Sequence, residues 1–285
     1  MNPFNIFLLQ EGEDTSELRT RNAEGQRARN MLIDRGNSLI LQAALTSVTH
    51  GDFTPDGDGA SLLIFEFSFI GKGERRFTSG QINISFEDAM QATRNCPMVT
   101  AMSPSGKFAI NKTTSARDIH QGFNASLGGG PGPVTGELGF IWEQSEIRED
   151  RHATTVVGLK RSLDVGGGKT NTVSWIMEED PRTKEGIPSF LRGGILLRRR
   201  ADVPFRFTIK VKSEVDFGGK LRRLFGREEP DPVDPVELDE ETDLDGLGIG
   251  RLDPDTPGLD LHNMGSIDVA QHAHVVLASL LNVPG

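Results

Sequence analysis

The sequence predicts a mainly β chain. A single antiparallel β-sandwich spans residues 1–227, an acidic, Pro- and Gly-rich disordered linker follows at 228–265, and a short C-terminal helix lies within 266–285. Three observations predict it. Apolar and polar residues alternate over several short windows, as strands with one buried and one wet face require. Turn residues punctuate those windows, with 33 Gly and 15 Pro among 285 residues. Acidity is concentrated late in the chain: residues 228–260 hold thirteen Asp or Glu and one basic residue, Arg251.

Taken in order, the N-terminus "MNPFNIFLLQEGED" lacks a basic leader, and its apolar run is too short for a signal-peptide core. Residues 16–34 carry only a weak apolar stripe broken by Gly25, which disfavours a helix. "SLILQAALTSVTHG" (38–51) fits a strand better than a helix. "LLIFEFSFI" (62–70) sets Phe65, Phe67 and Phe69 on one face, "GKGERR" turns, and "GQINISFED" (80–88) alternates Ile82, Ile84 and Phe86, which together read as a hairpin. Further strands are expected at 135–144 and at 171–179, the latter with Val173, Trp175 and Met177 inward. In "FRFTIKVKSEV" (205–215), Phe205, Phe207, Ile209 and Val211 face inward, and Arg206, Thr208, Lys210 and Lys212 face water. About ten such strands suit a sandwich.

The boundary near Gly226 rests on charge. Before residue 228 the chain holds 30 basic and 27 acidic residues, so the net charge of −10 belongs to the tail. A like-charged stretch such as "EEPDPVDPVELDEETDLDGLG" lacks the apolar surface to fold alone. Ser266 then offers an N-cap, and the apolar positions of "SIDVAQHAHVVLASLLNVPG" suit a helix at about 267–281 that docks on this sandwich or on another chain.

Catalytic motifs fail one by one. "SLDVGGGKTNT" (162–172) ends like a phosphate-binding loop, but Leu163 replaces the first glycine and a strand pattern follows, so it reads as a loop between strands. His272 and His274 diverge on a helix, and no zinc-type spacing occurs. The lone cysteine, Cys96, reads as a small buried hydrophobe rather than a nucleophile. With one cysteine, no intrachain disulfide forms, and with no leader or membrane-length apolar run the expected location is the cytoplasm. No cofactor is expected.

Two binding patterns compete. Residues 191–227 hold eleven Lys or Arg against three acids. Arg198, Arg199, Arg200, Arg206, Lys210, Lys212, Arg222 and Arg223 read as a cationic hairpin for an acidic partner, either a protein or anionic lipid, masked by the acidic tail that follows. The Phe residues of this stretch point inward, which argues against nucleic acid. The alternative is a C2-like membrane-binding domain in which Asp52, Asp56 and Asp58 of "HGDFTPDGDGAS" hold Ca²⁺. The same Asp-Gly pairs are common turn chemistry, which is the preferred reading. A non-catalytic interaction module is therefore the leading expectation, and an enzyme of unrecognised type is the third.

The strings "NASLGGG", "GELGFIWE", "GIPSFLR" and "KLRRLFG…EPDPVDPVELD" together resemble a group of filamentous-fungal proteins to which no activity is attached. The resemblance covers most of residues 1–240 and implies an origin without a mechanism.

Overall fold

A computed structural model of the chain describes residues 22, 25–35, 39–71, 75–110, 153–162, 168–200, 203–217, 220–223 and 234–276. The described residues form thirteen strands in two antiparallel sheets facing each other, and the expected sandwich is present. The six-stranded sheet runs β1 (Met31–Arg35), β2 (Leu39–Asp52), β3 (Gly59–Gly71), β9 (Phe190–Arg199) and β13 (His274–Val276), with β5 (Met98–Ser103) also paired to β9. The seven-stranded sheet runs β11 (Lys220–Arg223), β10 (Phe205–Phe217), β4 (Arg76–Asp88), β8 (Thr172–Glu178), β7 (Thr154–Arg161) and β6 (Gly106–Ile110), with β12 (Val236–Leu238) also on β10.

Alternation dictates the core. Phe65 and Phe67 of β3 meet Phe86 of β4, Trp175 of β8 and Phe207 of β10 between the sheets, all at 1% exposure or less. Phe65 meets Phe207 edge-on at 5.4 Å, a favoured aromatic geometry. The Trp175 indole donates its N–H to the Pro104 carbonyl at 3.0 Å, so the buried ring keeps a partner. Gly193 on β9 makes room for that ring: a Cβ there would lie 2.6 Å from Cζ2.

Three expectations need correction. The 62–70 and 80–88 strands are not a hairpin. β3 and β4 belong to opposite sheets and touch face to face, with Phe69 edge-on to Phe77 at 5.4 Å. The proposed cationic hairpin is divided in the same way, because β9 lies in one sheet and β10 in the other. Alternation reports which face of a strand is buried, not which neighbour hydrogen-bonds to its edge.

The acidic segment, expected to be a disordered linker, also folds. From residue 234 onward it is a packed strap. β12 pairs with the start of β10 in the register Phe205↔Leu238 to Phe207↔Val236. Gly250 bridges to Ser47 of β2, and the Asp52 amide donates to the Leu261 carbonyl at 2.7 Å. Met264, Ile267 and Val269 then cover Ala60, Leu62, Ile64 and Leu196, making a second small core on the outer face of the six-stranded sheet. The approach is close: a Cβ on Gly51 would sit 2.3 Å from the Leu261 carbonyl oxygen. The expected helix from 267 is replaced through 276 by a single 3₁₀ turn, Val269–His272, capped by Asp268, and then by β13. Val275 and Val276 suit a strand, and β9 offers them an edge, whereas a helix of about fifteen residues is marginal on its own. The strand expected at 135–144 and the segments 228–233 and 277–285 lie outside the described residues.

Candidate functional site

The fold scatters the cationic residues that sequence groups together. Consecutive strand residues point to opposite faces, so Arg198, Arg199 and Arg200 cannot act as one patch. Arg198 points outward, pairs with Asp58 at 2.6 Å and stacks over Phe53 with 5.3 Å to the ring centroid. Arg199 points inward and is 4% exposed. Its Nε donates to Ser61 Oγ at 2.7 Å, and its Nη2 donates to Glu240 at 3.1 Å and to His50 Nδ1 at 3.2 Å. Burial lowers the guanidinium's pKa, and the Glu240 carboxylate pulls it back up. Arg200 follows β9 at the same end of the sandwich and also has a bonding partner.

On β10 the picture differs. Arg206 pairs with Glu87 of β4 at 2.8 Å. Lys210 and Lys212 are exposed and make no ion pair among the described residues. Arg222 and Arg223 fall on β11, opposite Val215 and Glu214 in register. The acidic strap reaches Arg199 through Glu240 and lies beside Arg206 through Glu237, but its pairing with β10 stops at Phe207. Among the described residues the strap makes no hydrogen bond or ion pair with the two lysines.

The register builds a site that the sequence does not display. Lys212 sits opposite Gln81, Gln81 opposite Ile176, Ile176 opposite Val157, and Val157 opposite Lys107. One row thus crosses the sheet with a lysine at each end. The adjacent row is Lys210, Asn83, Ser174 and Leu159, and the next is Thr208, Ser85, Thr172 and Arg161. Ser174 Oγ donates to Asn83 Oδ1 at 2.7 Å, and Thr172 Oγ1 donates to Ser85 Oγ at 3.1 Å, so the centre of the face is neutral and internally bonded. Lys107 and Arg161 are exposed, and Leu159 is 43% exposed. Glu178 and Glu214 lie one row beyond the lysines, toward the other end of the sheet. Lys107 and Arg161 carry no sequence signal, because they are far from the basic run and only strand order brings them to its face.

The remaining expectations resolve locally. Asp52 meets His262 Nδ1 at 3.1 Å, Asp58 is held by Arg198, and Asp56 occupies a left-handed turn position with φ 55°. The three carboxylates do not converge, and among the described residues no group of three or more His, Cys, Asp or Glu could hold a metal ion. Residues 162–171 connect β7 to β8, which are antiparallel neighbours, and Lys169 Nζ donates to the Arg94 and Cys96 carbonyls. Cys96 is buried, and burial raises its thiol pKa, away from nucleophilic behaviour. Among the described residues no helix is long and apolar enough to cross a membrane.

No protein-family model matches the chain, and no curated protein matches it. Among solved structures the chain is similar to one described as a "Pore forming protein", at 7% identity and a TM-score of 0.29, over 69% of this chain and 89% of that one. A likeness at that level supports no statement about activity.

Proposed function

We propose that the chain is a non-catalytic interaction module that presents the outer face of its seven-stranded sheet to an acidic partner. The observation that carries the reading is the contrast within one basic run. Arg198, Arg199 and Arg206 are each committed to a carboxylate of the chain itself, while Lys210 and Lys212 stand exposed on one face without one. A lysine held two residues from another on a strand, with no internal counter-ion, contributes little to folding and a positive potential to solvent.

Retention of the full chain on immobilised heparin, a polyanion without sequence, tests this. The wild type is expected to bind at low salt despite its net charge of −10. The K210E/K212E variant should elute at distinctly lower salt, and K184E, which alters the exposed connection after β8, should elute with the wild type. Equal elution of all three proteins would remove the lysine face as the contact surface.

A further inference from the structure

Resting on that reading, we propose that the acidic partner is the surface of an anionic lipid bilayer, met by a footprint that runs from Lys210 and Lys212 across the sheet to Lys107 and Arg161.

Lys212 and Lys107 end one row that crosses five strands. At ~4.8 Å between strands they stand ~19 Å apart, and successive rows along a strand are ~6.8 Å apart. Lys210 and Lys212 could share one phosphate, but Lys107, at the far end of the row, could not reach the same phosphate or carboxylate. Their partner must carry many negative groups spread over a plane, as a bilayer with anionic headgroups does.

Shape and composition agree. The face is a sheet surface, not a groove that would guide a linear chain. The phenylalanines described in its strands and Trp175 are turned into the core, so among the described residues it offers no aromatic platform for sugar rings or bases. On β7, between Lys107 and Arg161, Leu159 stands exposed near the partly exposed Ile176 and Val157, an aliphatic contact between cations that suits the headgroup boundary.

Charge distribution supplies orientation: Glu178 and Glu214 adjoin the Lys212 row on the same face, and other exposed acids, those of the strap, lie on the far side. The strap sets exposed Asp253, Asp255, Asp260 and Asp268 over or beside the outer face of the other sheet. Sheets pack ~10 Å apart, so these acids lie farther from the cationic face than the ~8 Å screening length at physiological salt. An acidic protein can therefore approach a negative surface cation-first.

The test is co-sedimentation of the full chain with phosphatidylcholine vesicles with and without 30 mol% phosphatidylserine, run beside binding to soluble heparin. Binding is expected only to the phosphatidylserine vesicles and should weaken as salt rises. At about 1 kcal/mol for each lysine near the surface, K107Q/R161Q and K210Q/K212Q should each weaken it by about 30-fold. Circular dichroism confirms that each variant is folded. Heparin binding without vesicle binding would overturn the lipid assignment and leave the acidic-partner reading standing. Vesicle binding that falls in K210Q/K212Q but not in K107Q/R161Q would overturn the extended footprint. Binding to neither probe would overturn both readings. Binding that required Ca²⁺ would overturn the proposal, because a lysine face meets an anionic surface without a metal.

Discussion

Arg199 of β9, inside the sandwich, bonds Glu240 of the strap at 3.1 Å, so the acidic segment is fastened to the body by one of the arginines that sequence would place on the surface. Glu240 is half exposed, yet the cation it serves is not. Removing it leaves a buried guanidinium with one acceptor fewer. E240A should lower stability by about 2 kcal/mol, the scale of a hydrogen bond to a charged group. E240Q should cost less, because an acceptor oxygen is retained. Urea denaturation checks both, and an unchanged midpoint for E240A would mean that the pair contributes nothing.

His50 lies against the same guanidinium. Burial, then the positive charges of Arg199 and Arg251, lower its pKa to about 4, with Asp239 opposing. The ring is therefore neutral in the folded chain and gains a proton on unfolding at mildly acidic pH. Stability is unaffected by this group above about pH 7, falls as pH drops below 6.5, and the full cost is reached below about 4. The loss amounts to about 3 kcal/mol. H50Q should lose less stability than the wild type between pH 7 and pH 4.5. Parallel pH profiles of the two proteins would contradict the assignment.

Much of this fold was legible in the sequence because alternation is a local signal. Phe65, Phe67, Ile82, Ile84, Trp175, Phe205 and Phe207 are all buried as their period-two spacing requires. Pairing was not legible, since β3 and β4 show the same pattern whether they share an edge or face each other. The strap was hidden by its own composition: Val236, Leu238, Leu244, Ile249 and Met264 are all buried, but each is isolated among Asp, Pro and Gly. Such residues cannot form a core alone, though they can complete one that the sandwich provides. Half of the lysine face, Lys210 and Lys212, was visible as exposed positions of β10. The other half, Lys107 and Arg161, depends on strand order.

Met264 tests whether the strap belongs to the cooperative fold. It is fully buried between the strap and the outer face of the six-stranded sheet. M264A should cost about 2–4 kcal/mol, as buried methionine truncations do, in a single unfolding transition. A separate early transition, with the main one unmoved, would show the strap to be an appendage.

Gly193 tests the packing between the sheets. Its missing Cβ leaves the space that the Trp175 indole fills, and the ring's N–H is tied to Pro104. G193A should cost about 1–3 kcal/mol through overpacking. Thermal melts report it, and an unchanged Tm would mean that the indole has room to move.

If one face of one sheet makes the contact, lysine reactivity reads it most directly. The full chain would be acetylated briefly with and without phosphatidylserine vesicles, and each lysine quantified by mass spectrometry. Protection of Lys107, Lys210 and Lys212, with Lys184 unchanged, is the predicted result. Protection of Lys184 with those three still reactive would contradict it.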